Sequence, residues 1–160
     1  MNIKILLSGD GGQGIQLIAD MVIQVAFGND FFVTSIPNYG LEQRGGVSLN
    51  FIQISDKKIV YPKFSKADML LAMSHQAEER SEGYKNTECR ILNIEDFIEK
   101  LKENDINLKS YNIFFLGLIA RFLEEKNVLK VDDIFKMLEK KLETKSGWEE
   151  NKKAFELSTL

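Results

Sequence analysis

The chain opens on a short apolar run, Asn2-Ile3-Lys4-Ile5-Leu6-Leu7, of the length expected for a parallel strand buried on both faces. Ile15, Ile18, Ala19, Val22 and Ala26 then recur at helical spacing. They predict one buried helical face, and a helix that stops near Gly28-Asn29, where a glycine follows the last apolar position. A second strand is predicted over about residues 30–36 and is expected to end at Pro37, which lacks a backbone donor. Val47, Leu49 and Phe51 alternate with Ser48 and Asn50, after which Ile52 and Ile54 alternate in the opposite phase. Such a strand either bulges or is covered on both sides. Asp56-Lys57-Lys58 reads as a turn and Ile59-Val60-Tyr61 as an antiparallel return closed by Pro62, a hairpin that would make the sheet mixed. Further short strands are expected over residues 68–73, ending at Ser74-His75, and over Arg90–Asn93.

Helical spacing dominates the rest. Residues 96–102 offer a short helix, and residues 112–123 one that is apolar on nearly every side, which predicts burial inside the domain or against another subunit. Val131, Ile134, Phe135, Leu138 and Leu142 form a cleaner stripe, with Asp132 and Asp133 at its start and Lys140 and Lys141 near its end, as the helix dipole favours. Residues 148–155 read as a last amphipathic turn or two. No repeat, low-complexity tract or linker interrupts the pattern, so one α/β domain over residues 1–160 with a mixed, mainly parallel sheet is expected.

The stretch that joins the first strand to the first helix, Ser8-Gly9-Asp10-Gly11-Gly12-Gln13-Gly14, carries the first candidate chemistry. Its glycines open backbone conformations closed to other residues, and its N–H groups, with the positive end of a helix behind them, suit an anion. Gly9, Gly11 and Gly14 satisfy the dinucleotide pattern G-x-G-x-x-G, in the strand-then-helix context the pattern requires. The acidic residue expected at the end of the second strand is missing, since that strand closes on Thr34-Ser35-Ile36-Pro37. Ordinary NAD binding is therefore disfavoured, while phosphate or nucleotide contact by the loop survives. The plainer alternative is a turn whose glycines serve tight packing of helix on sheet.

Composition narrows the classes. Of 160 residues, 44% are hydrophobic and 28% charged, with a formal net charge of −3, so there is no global basic field and nucleic acid is not an expected partner. No apolar run approaches the roughly 20 residues of a membrane span, and no signal-peptide pattern opens the chain, so a cytoplasmic location with no membrane partner is expected. Cys89 is the single cysteine. It excludes an internal disulfide and the four-thiolate ligation usual for an iron–sulfur cluster, and it reads as a packed thiol. One histidine with no nearby carboxylate pattern gives no sequence support for a metal site, and no serine sits in a nucleophile elbow.

A second glycine-rich stretch follows the second strand: Asn38-Tyr39-Gly40-Leu41-Glu42-Gln43-Arg44-Gly45-Gly46. Together the two stretches resemble the gamma subunit, or equivalent domain, of 2-oxoacid:ferredoxin oxidoreductases of the pyruvate and ketoisovalerate type. Gly9-Asp10-Gly11-Gly12-Gln13-Gly14 is similar to that family's G-x-G-G-Q-G, and Tyr39 to Gly46 to its Y-G-x-E-x-R-G-G. Weaker similarities run through Pro62, Ala67-Asp68, Asn112, Leu116-Gly117, Asn151, Ala154 and Phe155; residues 81–109 do not align.

The resemblance implies a three-layer Rossmann-like domain with a C-terminal helical segment, working in a hetero-oligomer. Sister subunits would carry thiamine diphosphate and the iron–sulfur clusters, ferredoxin would be an indirect partner, and coenzyme A would accept the acyl group after decarboxylation. Two further readings stand beside this one: the smaller subunit of indolepyruvate:ferredoxin oxidoreductase, against which Tyr39-Gly40 and Glu42 weigh, and a stand-alone nucleotide-binding regulatory module. A purely structural subunit is the third.

On this reading the N–H groups of Gly11, Gly12 and Gly14, with the Gln13 amide and the turn begun by Gly9, cradle phosphate or the polar end of a cofactor. Arg44, flanked by Gly45 and Gly46, offers a planar fork to phosphate or carboxylate, or else pairs with Glu42 or another subunit. Glu42 is expected to orient or to face a partner. Tyr39, beside Gly40, stacks on a base or packs against a neighbour. Asp10, placed where it would repel phosphate, is assigned to capping or to a subunit contact. His75 falls at a strand's carboxyl end, where α/β folds place ligands, yet a structural or surface role is the plainer one.

Overall fold

The computed structural model describes residues 1–39 and 46–160. The opening strand, β1 (Asn2–Asp10), is buried from Ile5 to Gly9, and it forms the middle of a five-stranded sheet. The others are β2 (Phe32–Tyr39), β3 (Val47–Ser55), β4 (Met69–Ala72) and β5 (Arg90–Asn93), in the order β2-β3-β1-β4-β5. β4 pairs parallel to β1 and β5 parallel to β4, whereas β3 runs antiparallel to both β1 and β2. The expected mixed sheet is therefore present, with two parallel and two antiparallel ladders and β3 as its one reversed strand.

The phase change along β3 reflects cover on both faces. Its register with β1 is continuous from Asn2 opposite Ser55 to Asp10 opposite Val47, so no bulge interrupts it. Ile52 and Ile54 join the larger core on one side, and Leu49 and Phe51 a smaller one on the other.

The larger core is closed by α1 (Ile15–Gly28), α4 (Tyr111–Glu125), α5 (Val131–Leu142) and α6 (Trp148–Thr159), with Leu101 of α3 (Ile98–Glu103) beneath them. The smaller core is covered by Phe64 and Tyr84, which meet Phe51 edge-on, and by α2 (His75–Ser81), whose Ala77 carbonyl accepts a hydrogen bond from buried Ser8. Helices 112–123 and 131–142 of the pattern are both present, the first buried within this chain. The last helix runs longer than expected, to Thr159.

Three expectations are corrected. The hairpin return over Ile59-Val60-Tyr61 does not form: β3 already has β1 on one edge and β2 on the other, so no edge is left to pair. The Tyr61 carbonyl instead accepts from Gln53 Nε2 at 2.6 Å. Pro37 does not end β2, which continues to Tyr39. β2 is an edge strand, and one row of its N–H groups has no partner strand, so a proline is tolerated there. Finally, the strand over residues 68–73 stops at Ala72 and the chain turns into α2, which the apolar pattern did not show. Only Ala77 and Ser81 of that helix are buried, and its start is fixed by Ser74 Oγ accepting from Ala77 N–H at 3.1 Å.

Close approach of helices explains one glycine. A Cβ at Gly117 of α4 would lie 1.7 Å from Ser158 Oγ and 3.1 Å from the Phe155 carbonyl oxygen, so α6 crosses α4 where only a hydrogen fits.

Candidate functional site

The first glycine turn leaves β1 at Asp10 and enters α1 at Ile15. Gly12 and Gly14 take φ values of 86° and 78°, in the left-handed region that favours glycine. Gln13 ties the turn down. Its Oε1 accepts from Asp10 N–H at 2.7 Å, its Nε2 donates to the Met73 carbonyl at 2.8 Å, and its own N–H donates to the Asp10 carbonyl at 3.2 Å. Both ends of the Gln13 amide are thus spent on this chain's backbone, and its part is to hold the turn's shape. Gly9 acts by packing: a Cβ there would lie 2.9 Å from Ile15 Cγ2.

Asp10 is turned away from the turn it begins. Its Oδ1 accepts from Ser74 Oγ and from Gln76 Nε2, both at 2.8 Å. Ser74 is the N-cap of α2, so Asp10 braces the capping residue of the next helix instead of capping its own. α1 has no side-chain cap, its N-cap being Gly14. Among the described residues the N–H groups of Gly11, Gly12 and Gly14 meet no acceptor. Three free donors at the positive end of a 14-residue helix form an anion-seeking surface.

Beside this turn lies a cleft of about 240 Å³. The turn lines it from Gly11 to Gly14, Met73 and Ile94 supply apolar wall, and Leu108, Lys109, Tyr111 and Asn112 close the far side. That far wall was not assigned from the sequence. Its signal was a single asparagine in the first turn of an otherwise apolar helix, lying just past the stretch that would not align.

The stems of the second glycine stretch reach the same rim of the sheet. Asp10 stands opposite Val47 in one ladder, and Tyr39 opposite Ser48 in the next. Tyr39 is 67% exposed, and its hydroxyl accepts from Gln16 Nε2 of α1 at 3.3 Å. Gln16 Oε1 in turn accepts from Asn50 Nδ2, whose Oδ1 takes the Ser35 hydroxyl, so a polar chain links α1 to the two strands that bear the second stretch. Gly46 is half-buried directly before β3. Gly40, Glu42, Arg44 and Gly45 lie outside the described residues.

His75 opens α2 with its side chain 73% exposed, 3.4 Å from Glu79 and 4.0 Å from Glu95. It is a surface group between two carboxylates. Cys89 is half-buried, and burial pushes its thiol above the ordinary range, which makes it a poor nucleophile at neutral pH. Among the described residues no group of three histidine, cysteine or acidic side chains is placed to hold a metal, and no helix is long and apolar enough to cross a membrane.

Comparison with known proteins gives the site its context. The sequence family described as pyruvate ferredoxin/flavodoxin oxidoreductase matches residues 4–159. The chain is 40% identical over 130 residues to the 2-oxoglutarate synthase subunit KorC of Methanothermobacter marburgensis, covering 80% of this chain and 61% of that one. It is 32% identical over 122 residues to KorC of Methanocaldococcus jannaschii, covering 75% and 65%. It is 28% identical over 114 residues to the common gamma subunit of the pyruvate/ketoisovalerate oxidoreductases of Thermococcus litoralis, covering 66% and 62%. The chain thus spans less than two thirds of the length of these relatives.

Two solved structures share the fold. The gamma subunit of a keto/oxoacid ferredoxin oxidoreductase from Geobacter sulfurreducens superposes with a TM-score of 0.77 at 21% identity, over 99% of this chain and 95% of that one. The 2-oxoglutarate:ferredoxin oxidoreductase of Magnetococcus marinus, with 2-oxoglutarate, coenzyme A and succinyl-CoA bound, gives 0.79 at 17% identity, over 98% of this chain and 31% of that one.

Proposed function

Since the chain belongs to the pyruvate ferredoxin/flavodoxin oxidoreductase family, we propose that it serves as a gamma-type subunit of a 2-oxoacid:ferredoxin oxidoreductase, helping to form the coenzyme A site and the subunit interface. The enzyme it joins would decarboxylate a 2-oxoacid oxidatively to an acyl-CoA and pass electrons to ferredoxin. Thiamine diphosphate and the iron–sulfur clusters would sit on sister subunits, a division in keeping with the single cysteine of this chain. Bound coenzyme A would supply the acyl-accepting thiol; this chain's residues bind and orient. The whole chain would act as one gamma-type domain.

One observation carries the reading: the first glycine turn, with three N–H groups unmet among the described residues, opens on the rim where the stems of the second glycine stretch end. That rim lies at the carboxyl end of the parallel strands, where open α/β sheets place ligands. Its donors suit a polyanion such as coenzyme A. At about 240 Å³ the cleft is smaller than pockets that enclose whole cofactors, so this chain would hold one part of the molecule and sister chains the remainder. Arg44 would add a second point of anionic contact, with Glu42 orienting it and Tyr39 stacking at the edge.

The test is co-expression with candidate sister chains. Co-purification of thiamine- and cluster-bearing partners is expected, with a raised apparent KM for coenzyme A in Arg44→Ala. An unchanged KM would refute the role of the second stretch. Tight adenine-nucleotide binding by the lone chain, without partners, would favour a stand-alone regulatory module instead.

A further inference from the structure

The end of the sheet away from the glycine turns carries a second cleft, of about 380 Å³, between the start of β1, the end of β3 and the stretch that was expected to return as a hairpin. β1 runs between the two sites, with Asn2 opposite Ser55 here and Asp10 opposite Val47 there, so roughly 26 Å of strand separates them. Residues 58–65 lie in no helix or strand, yet they are tied to the sheet. Gln53, 2% exposed, donates Nε2 to the Tyr61 carbonyl and accepts at Oε1 from Asn2 Nδ2, and Phe64 meets Phe51 edge-on. Held this way, the stretch turns two adjacent apolar side chains outward, Val60 at 73% and Tyr61 at 80% exposure. Beside them Lys4, Lys58 and Lys63 line the cleft, and among the described residues no acidic side chain lines it. Nor does any of the three ammonium groups form an ion pair among the described residues; Lys63 Nζ stands 5.6 Å from the centre of the Phe51 ring. On a chain of net charge −3, this is a local gathering of positive charge in a cleft whose walls focus its field. An exposed tyrosine and valine rimmed by charge have the make-up of a contact surface.

We propose that this surface docks an acidic segment of a sister subunit, whose carboxylates meet Lys4, Lys58 and Lys63 and whose apolar side chains cover Val60 and Tyr61. The proposal rests on the reading of the chain as one subunit of a larger enzyme. It goes further by placing a contact at the end of the sheet away from the coenzyme A rim and by stating the chemistry of what sits there. Charge complementarity selects the occupant. A second copy meeting this patch about a two-fold axis would set the same lysines against one another. A free anion would engage the lysines and leave Val60 and Tyr61 in water. A segment that bears both carboxylates and apolar side chains satisfies both halves of the surface.

The test uses the full chain co-expressed with its sister chains, and the complex is treated with a carbodiimide, which joins a lysine amine to a carboxylate in direct contact. Cross-links are expected from Lys4, Lys58 or Lys63 to aspartate or glutamate side chains of a sister chain. The double variant Lys58→Glu/Lys63→Glu should weaken assembly at least about tenfold, because it sets like charges against each other. Lys58→Gln/Lys63→Gln should weaken it less and flatten its dependence on salt, since screening acts on the charges that are removed. Tyr61→Ser should weaken assembly without changing that salt dependence. Lys58, Tyr61 and Lys63 are all exposed, so these variants keep the fold. Assembly that is indifferent to Lys58→Glu/Lys63→Glu, or cross-links from these lysines only to further copies of this chain, overturns the docking surface and leaves the subunit reading standing. A chain that co-purifies with no sister chain overturns both.

Discussion

The glycines of the first turn should differ in how they tolerate alanine, and the structure orders them. At Gly11 the φ angle is not positive and a Cβ would meet nothing within 4 Å. Alanine there costs little in the native state and restricts the unfolded chain, so the net change should lie within about 0.5 kcal/mol of zero. At Gly12 a Cβ is also unopposed, but φ is 86°. The left-handed penalty alone applies, about 1 kcal/mol. At Gly14 both terms act: φ is 78°, and the Cβ would lie 2.4 Å from Asn112 Nδ2 and 3.1 Å from its Cγ. Asn112 is buried and held through Ile113, so it yields only at a cost like that of overpacking.

Gly14→Ala should therefore destabilise by about 2–4 kcal/mol. Urea unfolding reads the series directly, with the single tryptophan, Trp148 packed near Phe135, as the fluorescent reporter. With a slope of roughly 2 kcal/mol per molar urea, Gly14→Ala should lower the midpoint by about 1–2 M while Gly11→Ala barely moves it. Equal midpoints for the Gly14 and Gly11 variants would refute the reasoning, because backbone conformation and the Asn112 contact are all that separate the two positions.

Other substitutions probe the body of the fold. Gly117→Ala should cost about 2–3 kcal/mol by forcing α4 from α6, and Ser158→Gly, which removes the nearest clashing atoms, should restore part of that loss in the double variant; thermal unfolding of all four proteins checks it. Glu78 sits below the usual glutamate range, first through its hydrogen bond with Lys85 and then through that with Asn93. A carboxylate depressed in the fold stabilises above its unfolded value of roughly 4.3 and loses that contribution as pH falls through the lower folded value. Thermal stability of the unaltered chain should drop over that acid window and that of Glu78→Gln should drop less, in melts recorded from pH 7 to pH 3. Identical pH profiles would disprove the linkage.

What the sequence disclosed follows how far each element depends on its neighbours. β5 and α5 appear at the residues read from pattern alone, because a short apolar run and a three-four stripe each carry their own periodicity. The hairpin at 59–61 failed for a tertiary reason, since pairing requires a vacant edge and β1 and β2 had taken both sides of β3. α2 left no periodic trace because it buries only Ala77 and Ser81. At the site, the glycines announced the turn, but the commitment of Gln13 to Met73, and of Asp10 to Ser74 and Gln76, joins residues 60 to 66 positions apart in sequence. Asn112 reached the cleft only through the packing of α4 against α1 and the turn before it.

The reversed strand ties the first turn to the sheet: Val47 pairs with Asp10, and Tyr39 with Ser48 on the adjoining ladder. With Asp10 held at that end, adding or deleting a residue between it and Ile15 would roll α1 by about 100° per residue and drive its apolar side into solvent. The length of that turn is locked like the throw of a clasp, by the sheet on one side and the helix on the other.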